Sequence, residues 1–203
     1  MGTNRNKIEI FMLVLLSGAF FSANAQVAST TSQSEASSEL PSHKYCTSTG
    51  GSLELRTPVY GTNNPQQDWL QLAGHEEFCQ YASKGARIHI SLGTLYTKKP
   101  TLAALAYYAA TPWNGQGDGN PASFYCTQLG GSDQFGGTSA AGGGWVKLNS
   151  IDQSLEACIF PDNSTIDSWG LLYHSAGVIR GIDLSTVLRY PNPYAESNSH
   201  EGK

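Results

Sequence analysis

Four cysteines, Cys46, Cys79, Cys126 and Cys158, fall into two pairs of almost equal spacing, 33 and 32 positions apart. No other feature restricts the architecture of this chain as strongly. A tyrosine precedes the first cysteine of each pair and two glycines follow it, so YCTSTGGS in the first half answers YCTQLGGS in the second. Further along, SLGTLY at 91–96 is echoed by SWGLLY at 168–173. Because order and spacing both agree, the pattern predicts an internal duplication. One unit would run over 43–110 and a second over 120–191, with a linker at 111–119.

Four cysteines allow three complete connectivities, and the residues alone leave that choice open. The repeat favours Cys46 with Cys79 and Cys126 with Cys158. Closing a loop of this size stabilises a small domain by roughly 3–4 kcal/mol in the chain-entropy estimate, a large share of its net stability. None of the cysteines forms a CxxC pair and the chain holds only five histidines, so metal-binding or free-thiol roles are the weaker alternatives. No metal and no cofactor is expected. Gly50, Gly51, Gly130 and Gly131 are expected to serve as structural turns beside the crosslinks, where positive φ or a close backbone approach excludes a side chain.

The opening residues, MGTNRNKIEIFMLVLLSGAFFSANA, carry Arg5 and Lys7, then an apolar run, then small residues around Asn24. That order predicts a cleavable export signal over 1–25. Its apolar part is shorter than the ~20 residues of a membrane span, and no second long apolar run follows, so no integral span is expected after cleavage. The net charge is -4. Loss of Arg5, Lys7 and Glu9 with the signal makes the remainder slightly more acidic, and scattered basic residues give no electrostatic reason to bind nucleic acid. Residues 26–42 and 192–203 are mostly small and polar and read as flexible tails.

Strand signals occur in SLELRTPVY, ARIHISLGTLYT, GGWVKLNS and SWGLLYHS, while SLEACIF is ambiguous between helix and strand. TLAALAYYAA is the best helix candidate, bounded by Pro100 and Pro112, and DLSTVLRY is its expected counterpart. The fold class predicted is α+β: two related small disulfide-stabilised units, each with short antiparallel strands and a short helix.

The candidate chemistry is sparse. The glycines around Gly136 lack the Lys and Ser or Thr of a phosphate-binding loop. Asp118, Asp133, Asp162 and Asp167 are possible oxygen ligands without the spacing of a calcium loop. His75, His89 and His174 lack a GxSxG partner and read as ordinary surface or partly buried histidines. Trp69, Tyr96, Trp145, Trp169 and Tyr173 are better candidates, as a recognition face offering rigid apolar contact with polar edges.

The segment NPASFYCTQLGG, followed by GGGW and LEACIFPDNSTIDSWGLLY, resembles a family of small bacterial exported domains, DUF333, whose members often carry a haemolysin label. The matching positions are Asn120, Pro121, Ala122, Ser123, Tyr125, Cys126, Gly130, Gly131, Cys158, Pro161, Asp162 and Trp169. Coverage is about residues 120–174, and the first unit resembles the family only through the internal repeat. Two departures stand out: the family's further cysteines, near Ile166 and beyond the aromatic segment, are absent, and Asn163 stands where a turn glycine is usual. The resemblance implies a bacterial exported protein of the periplasm or outer envelope and supplies no catalytic residues. The function expected is therefore a non-enzymatic exported binding or structural protein with a protein partner, as an accessory component of a cell-envelope or secretion assembly. The alternative is a small secreted cell-envelope hydrolase. A cleft holding Asp or Glu beside a histidine would favour the enzyme, and a flat aromatic surface the binding protein.

Overall fold

Proline begins two of the helices in this protein, whose computed structural model describes residues 39–136, 141–150 and 153–195. The expected export signal over 1–25, residues 26–38 of the polar segment and residues 196–203 of the tail lie outside the described residues. Pro41 opens α1 (Pro41–Ser48) and Pro121 opens α4 (Pro121–Gln128). A ring that fixes φ and lacks an N–H costs nothing there, because the first amide of a helix has no internal partner. The Asn120 side chain completes the start of α4 by accepting from Ala122 N at 3.0 Å.

Each of these helices ends in a glycine pair that delivers the chain to a disulfide. Gly50 and Gly130 take φ of 90° and 85°, in the left-handed region that glycine enters without steric cost. At Gly51 and Gly131 a β-carbon would collide with the sulfurs of Cys46–Cys79 and Cys126–Cys158 respectively. Both disulfides are fully buried in the main apolar core.

The strands are β1 (Ser52–Tyr60), β2 (Leu70–Gln71), β3 (Glu76–Ser83), β4 (Ala86–Ser91), β5 (Gly143–Val146), β6 (Ser154–Leu155), β7 (Ala157–Ile159) and β8 (Thr165–Asp167). All their pairings are antiparallel, and they form one sheet in the order β6-β5-β1-β3-β4-β8-β7, with β2 also on β1. The strands at its two ends, β6 and β7, are separated in the chain only by Glu156. The sheet thus turns back on itself as a nearly closed barrel.

This corrects the expectation of two discrete units. Strands from both halves interleave, β1 lying beside β5 and β4 beside β8. The physical reason lies in β1, which is too long for one partner. Its residues 52–56 pair with β3, and its residues 57–60 pair with β5 from the other half. A short sheet left to itself would expose such an edge, and closure removes it. The expected linker is likewise tied down: Tyr125 Oη donates to Thr111 O (2.5 Å), and Gln128 Nε2 donates to Pro112 O (2.8 Å).

Three local expectations also change. SWGLLYHS is not extended but forms helix α5 (Ser168–Ser175), because Asp167 caps it by accepting from Gly170 N at 2.8 Å. The strand expected through SLGTLYT stops at Ser91, whose hydroxyl caps α2 (Leu92–Tyr96). DLSTVLRY holds only a 3-10 turn, Leu184–Thr186. The helix in TLAALAYYAA is present as α3 (Leu102–Ala109).

The two faces of the sheet differ in chemistry. Cys79, Tyr81, Ile88, Ile90, Cys158 and Ile166 point to the face that packs against the helices. The opposite face encloses a small apolar cluster of Phe78, Leu155, Ala157 and Trp145 and, next to it, buried charges.

Candidate functional site

Strand β1 reads Leu53-Glu54-Leu55-Arg56, and the pleat sends alternate residues to opposite faces. Hydrophobicity alone would bury the leucines. Instead Glu54 is 6% and Arg56 0% exposed, whereas Leu55 is 57% exposed. β1 has this register because Leu53 sits opposite Cys79 on the helix-packed face, which turns Glu54 and Arg56 into the barrel.

There they join Gln80, His89 and Asp167. Arg56 Nε donates to Glu54 Oε2 at 2.8 Å, its Nη2 lies 2.6 Å from the same oxygen, and its Nη1 donates to Trp145 O at 3.0 Å. His89 has a carboxylate on each ring nitrogen, Glu54 Oε2 at 3.3 Å from Nε2 and Asp167 Oδ2 at 3.4 Å from Nδ1. Gln80 Nε2 is 2.9 Å from His89 Nε2. Lys147 reaches in from the surface and donates to Glu54 Oε1 at 3.0 Å. Burial by itself would raise the Glu54 pKa, but hydrogen bonds from His89, Lys147 and Arg56 prevail and hold it far below the usual carboxylate range. For His89 burial acts downward, and the bonds to Asp167 and Glu54 overcome it, so its pKa is raised.

One side of this network opens to the surface. A cleft of about 160 Å³ has His89 and Asp167 at its base and Arg87, Glu156, Trp169 and Arg180 around it. Asp167 is doubly held, Oδ2 facing His89 and Oδ1 accepting from Gly170 N. Glu156, at the joint between β6 and β7, accepts through Oε2 from Asn120 Nδ2 (2.5 Å) and Trp169 Nε1 (2.9 Å). Arg180 donates from Nε to Arg87 O (3.1 Å), with its guanidinium 5.0 Å from the Tyr173 ring centroid. Near Glu156, Asp133 is buried with Oδ2 unpartnered, as is the hydroxyl of Ser168. Burial pushes the Asp133 carboxyl up to about 6, the Ser123 hydroxyl opposing and the Glu156 charge adding.

The five aromatic residues expected to form a recognition face have different neighbours. Trp169 and Tyr173 come together on α5, their centroids 6.1 Å apart. Trp145 is wedged between Phe78 (5.6 Å) and Phe135 (5.4 Å) with its indole N–H unpartnered. Tyr96 packs on Tyr45 and under Arg189. Trp69 donates to Asn64 O and lines a shallow groove of about 330 Å³ with Leu55 and Leu148. Gly50, Gly51, Gly130 and Gly131 stand at the disulfide corners described above.

Of the histidines, His174 stacks on Tyr107 at 3.8 Å, His75 lies beside Glu76 and Glu77 in a surface depression, and His89 is fully internal, contrary to the expectation of an ordinary surface or partly buried residue. Sequence reasoning missed Glu54, Arg56 and Gln80 entirely. The signal that could have found them is the opposite-charge pair at i, i+2 in a strand whose ends carry hydrophobic residues. Among the described residues, no group of three or more His, Cys, Asp or Glu side chains could hold a metal ion, and no helix is long and apolar enough to cross a membrane.

Residues 117–175 match the model of a protein family described as a domain of unknown function, DUF333, which supports assigning that segment to the family. The matched segment contributes Asn120, Asp133, Glu156, Asp167 and Trp169, while Glu54, Arg56, Gln80, Arg87 and His89 come from the preceding half and Arg180 from beyond it. No curated protein and no solved structure matches the chain.

Proposed function

We propose that this chain is a non-enzymatic exported binding protein, an accessory component of a bacterial cell-envelope or secretion assembly, and that the cleft above His89 and Asp167 is where it engages its partner. The observation that carries this is the state of the cleft's base. Both nitrogens of His89 are already engaged inside the network, Nδ1 facing Asp167 Oδ2 and Nε2 facing Glu54 Oε2, Gln80 Nε2 and Arg56 Nη2, so neither stands open toward the cleft to take a proton from a nucleophile. Charges arranged this way rigidify a surface, and the indole and guanidinium groups of Trp169 and Arg180 are of the kind that dominate protein interfaces. Two buried disulfides suit an oxidising compartment. We also retain the internal duplication as part of the proposal, supported by the common corner of proline-initiated helix, glycine pair and buried disulfide in each half.

A second reading, a small secreted cell-envelope hydrolase, is favoured by one observation: Glu156 and Asp167 stand beside His89 in a single cleft. One experiment separates the two. A photo-crosslinking residue is placed at Tyr173, beside the cleft, or at the exposed Lys84, in full-length protein expressed in its native host. A discrete adduct from position 173 and not from 84 is expected. Recovery only as an isolated monomer, together with reproducible hydrolysis of a purified envelope substrate, would overturn the binding reading.

A further inference from the structure

We infer that the cleft takes a carboxylate group of its ligand, anchored by Arg180. This deepens the reading of the cleft as a binding site and rests on it. The guanidinium of Arg180 is fixed at two points, by the Nε donation to Arg87 O and by the Tyr173 ring. Among the described residues no carboxylate pairs with it. A guanidinium oriented in advance, with its terminal N–H groups uncommitted, matches the two oxygens of a carboxylate and loses little rotamer freedom on binding.

The acids already in the cleft do not fill that role. Asp167 is occupied by His89 and the Gly170 amide, and Glu156 by Asn120 and Trp169. Behind them the guanidinium of Arg56 and the imidazole of His89 face Glu54 and Asp167, so the groups at the base answer one another within the protein. Arg180 thus stands as a fixed cation at one concave point, and charge at such a point selects for anionic groups. Size narrows the ligand further. At about 160 Å³ the cleft is smaller than the ~300–1,000 Å³ typical of whole small-molecule sites. It holds one functional group, with the rest of the ligand outside against Trp169 and Tyr173.

The test is an NMR titration of isotope-labelled full-length protein with N-acetylglutamate N-methylamide and, separately, with the neutral isostere N-acetylglutamine N-methylamide. The acid should shift the Trp169 indole and Arg180 Nε–H resonances saturably and the amide should not. Arg180→Gln should weaken acid binding by about 10-fold or more, with Arg180→Lys intermediate, both variants retaining the wild-type spectrum elsewhere. Acetate binding as tightly as the peptide acid identifies a small free acid as the source of the carboxylate, and weaker acetate binding identifies a chain-borne acidic residue. Equal shifts from acid and amide, no shift from either, or full affinity in Arg180→Gln would each overturn the inference. A crosslinked partner at position 173 alongside any of these results would leave the binding reading standing and remove only the carboxylate.

Discussion

Replacing Glu54 by Gln and, in a separate protein, Leu55 by Gln compares two neighbours whose hydrophobicity and burial run in opposite senses. Glu54→Gln keeps the shape of the side chain and removes the charge that Arg56, His89 and Lys147 all face. Arg56 is fully buried and His89 nearly so, so neither group can recover its lost partner from water. Breaking a buried pair in this way costs about 3–5 kcal/mol. Leu55 is more than half exposed, and a polar replacement at such a site changes stability by no more than about 0.5 kcal/mol. With a urea slope of about 2 kcal/mol/M, the midpoint for Glu54→Gln should fall by about 1.5–2.5 M while that for Leu55→Gln stays within about 0.3 M. Equilibrium urea unfolding followed by tryptophan fluorescence measures both.

The same variant tests the electrostatics. The raised pKa of His89 contributes stability that is fully present below its unfolded value of about 6.5 and is lost as pH rises through its folded pKa. Glu54, with its pKa lowered, contributes stability fully present above about 4.5 and lost progressively as pH falls from there through its folded pKa. Wild type should therefore weaken on the alkaline side, and in Glu54→Gln that weakening should be smaller and level off at lower pH because His89 keeps only Asp167. If Leu55→Gln proves the more damaging substitution, or the alkaline limb is unchanged in Glu54→Gln, the orientation of β1 and the account of the network are both wrong.

Other outcomes follow from the buried acid and the disulfide corners. Asp133 binds its proton up to about pH 6 in the folded chain against about 3.8 unfolded, so its contribution to stability falls as pH rises between those values. Asp133→Asn should abolish that fall, as read from urea midpoints across pH 4 to 7. Gly131→Ala places a methyl group against the Cys126–Cys158 sulfurs and should cost about 1–3 kcal/mol, whereas Gly130→Ala meets no neighbour and is strained only by its φ of 85°. Thermal unfolding should show the larger loss at 131. Replacing Cys126 and Cys158 together by Ala should lower stability by roughly 3–4 kcal/mol, and non-reducing peptide mapping of the wild type should recover Cys46 with Cys79 and Cys126 with Cys158.

Much of the local structure was legible because it depends on short-range chemistry. The α3 helix follows from a run of Ala and Leu, and the β1, β4 and β5 strands follow from β-branched and alternating residues. Capping decided two of the local failures, at α2 and α5. In SWGLLYHS, the apolar composition read as a strand, but Asp167 offers its carboxylate to the Gly170 amide and turns the chain into α5. The same aspartate carries half of the His89 environment, so missing the helix also hid the site. Glu54 and Arg56 were passed over because charged residues in a half-exposed strand normally face water, and only partners from β3, β4, β8 and the loop after β5 make their burial tolerable.

The sequence by itself determined the cysteine spacing that favours one pairing, the glycine corners and the family resemblance of the second half, since each is set by residues near one another or by a spacing that the chain carries directly. Tertiary structure alone decided that the two halves share one barrel, which face of β1 is inside, and that His89, Asp167, Glu156 and Arg180 meet in one cleft. The physical reason is that strand pairing and charge compensation are long-range. A nine-residue strand does not specify which neighbour will take its second edge, and a buried carboxylate is tolerated only when distant parts of the chain bring it hydrogen bonds and opposite charge.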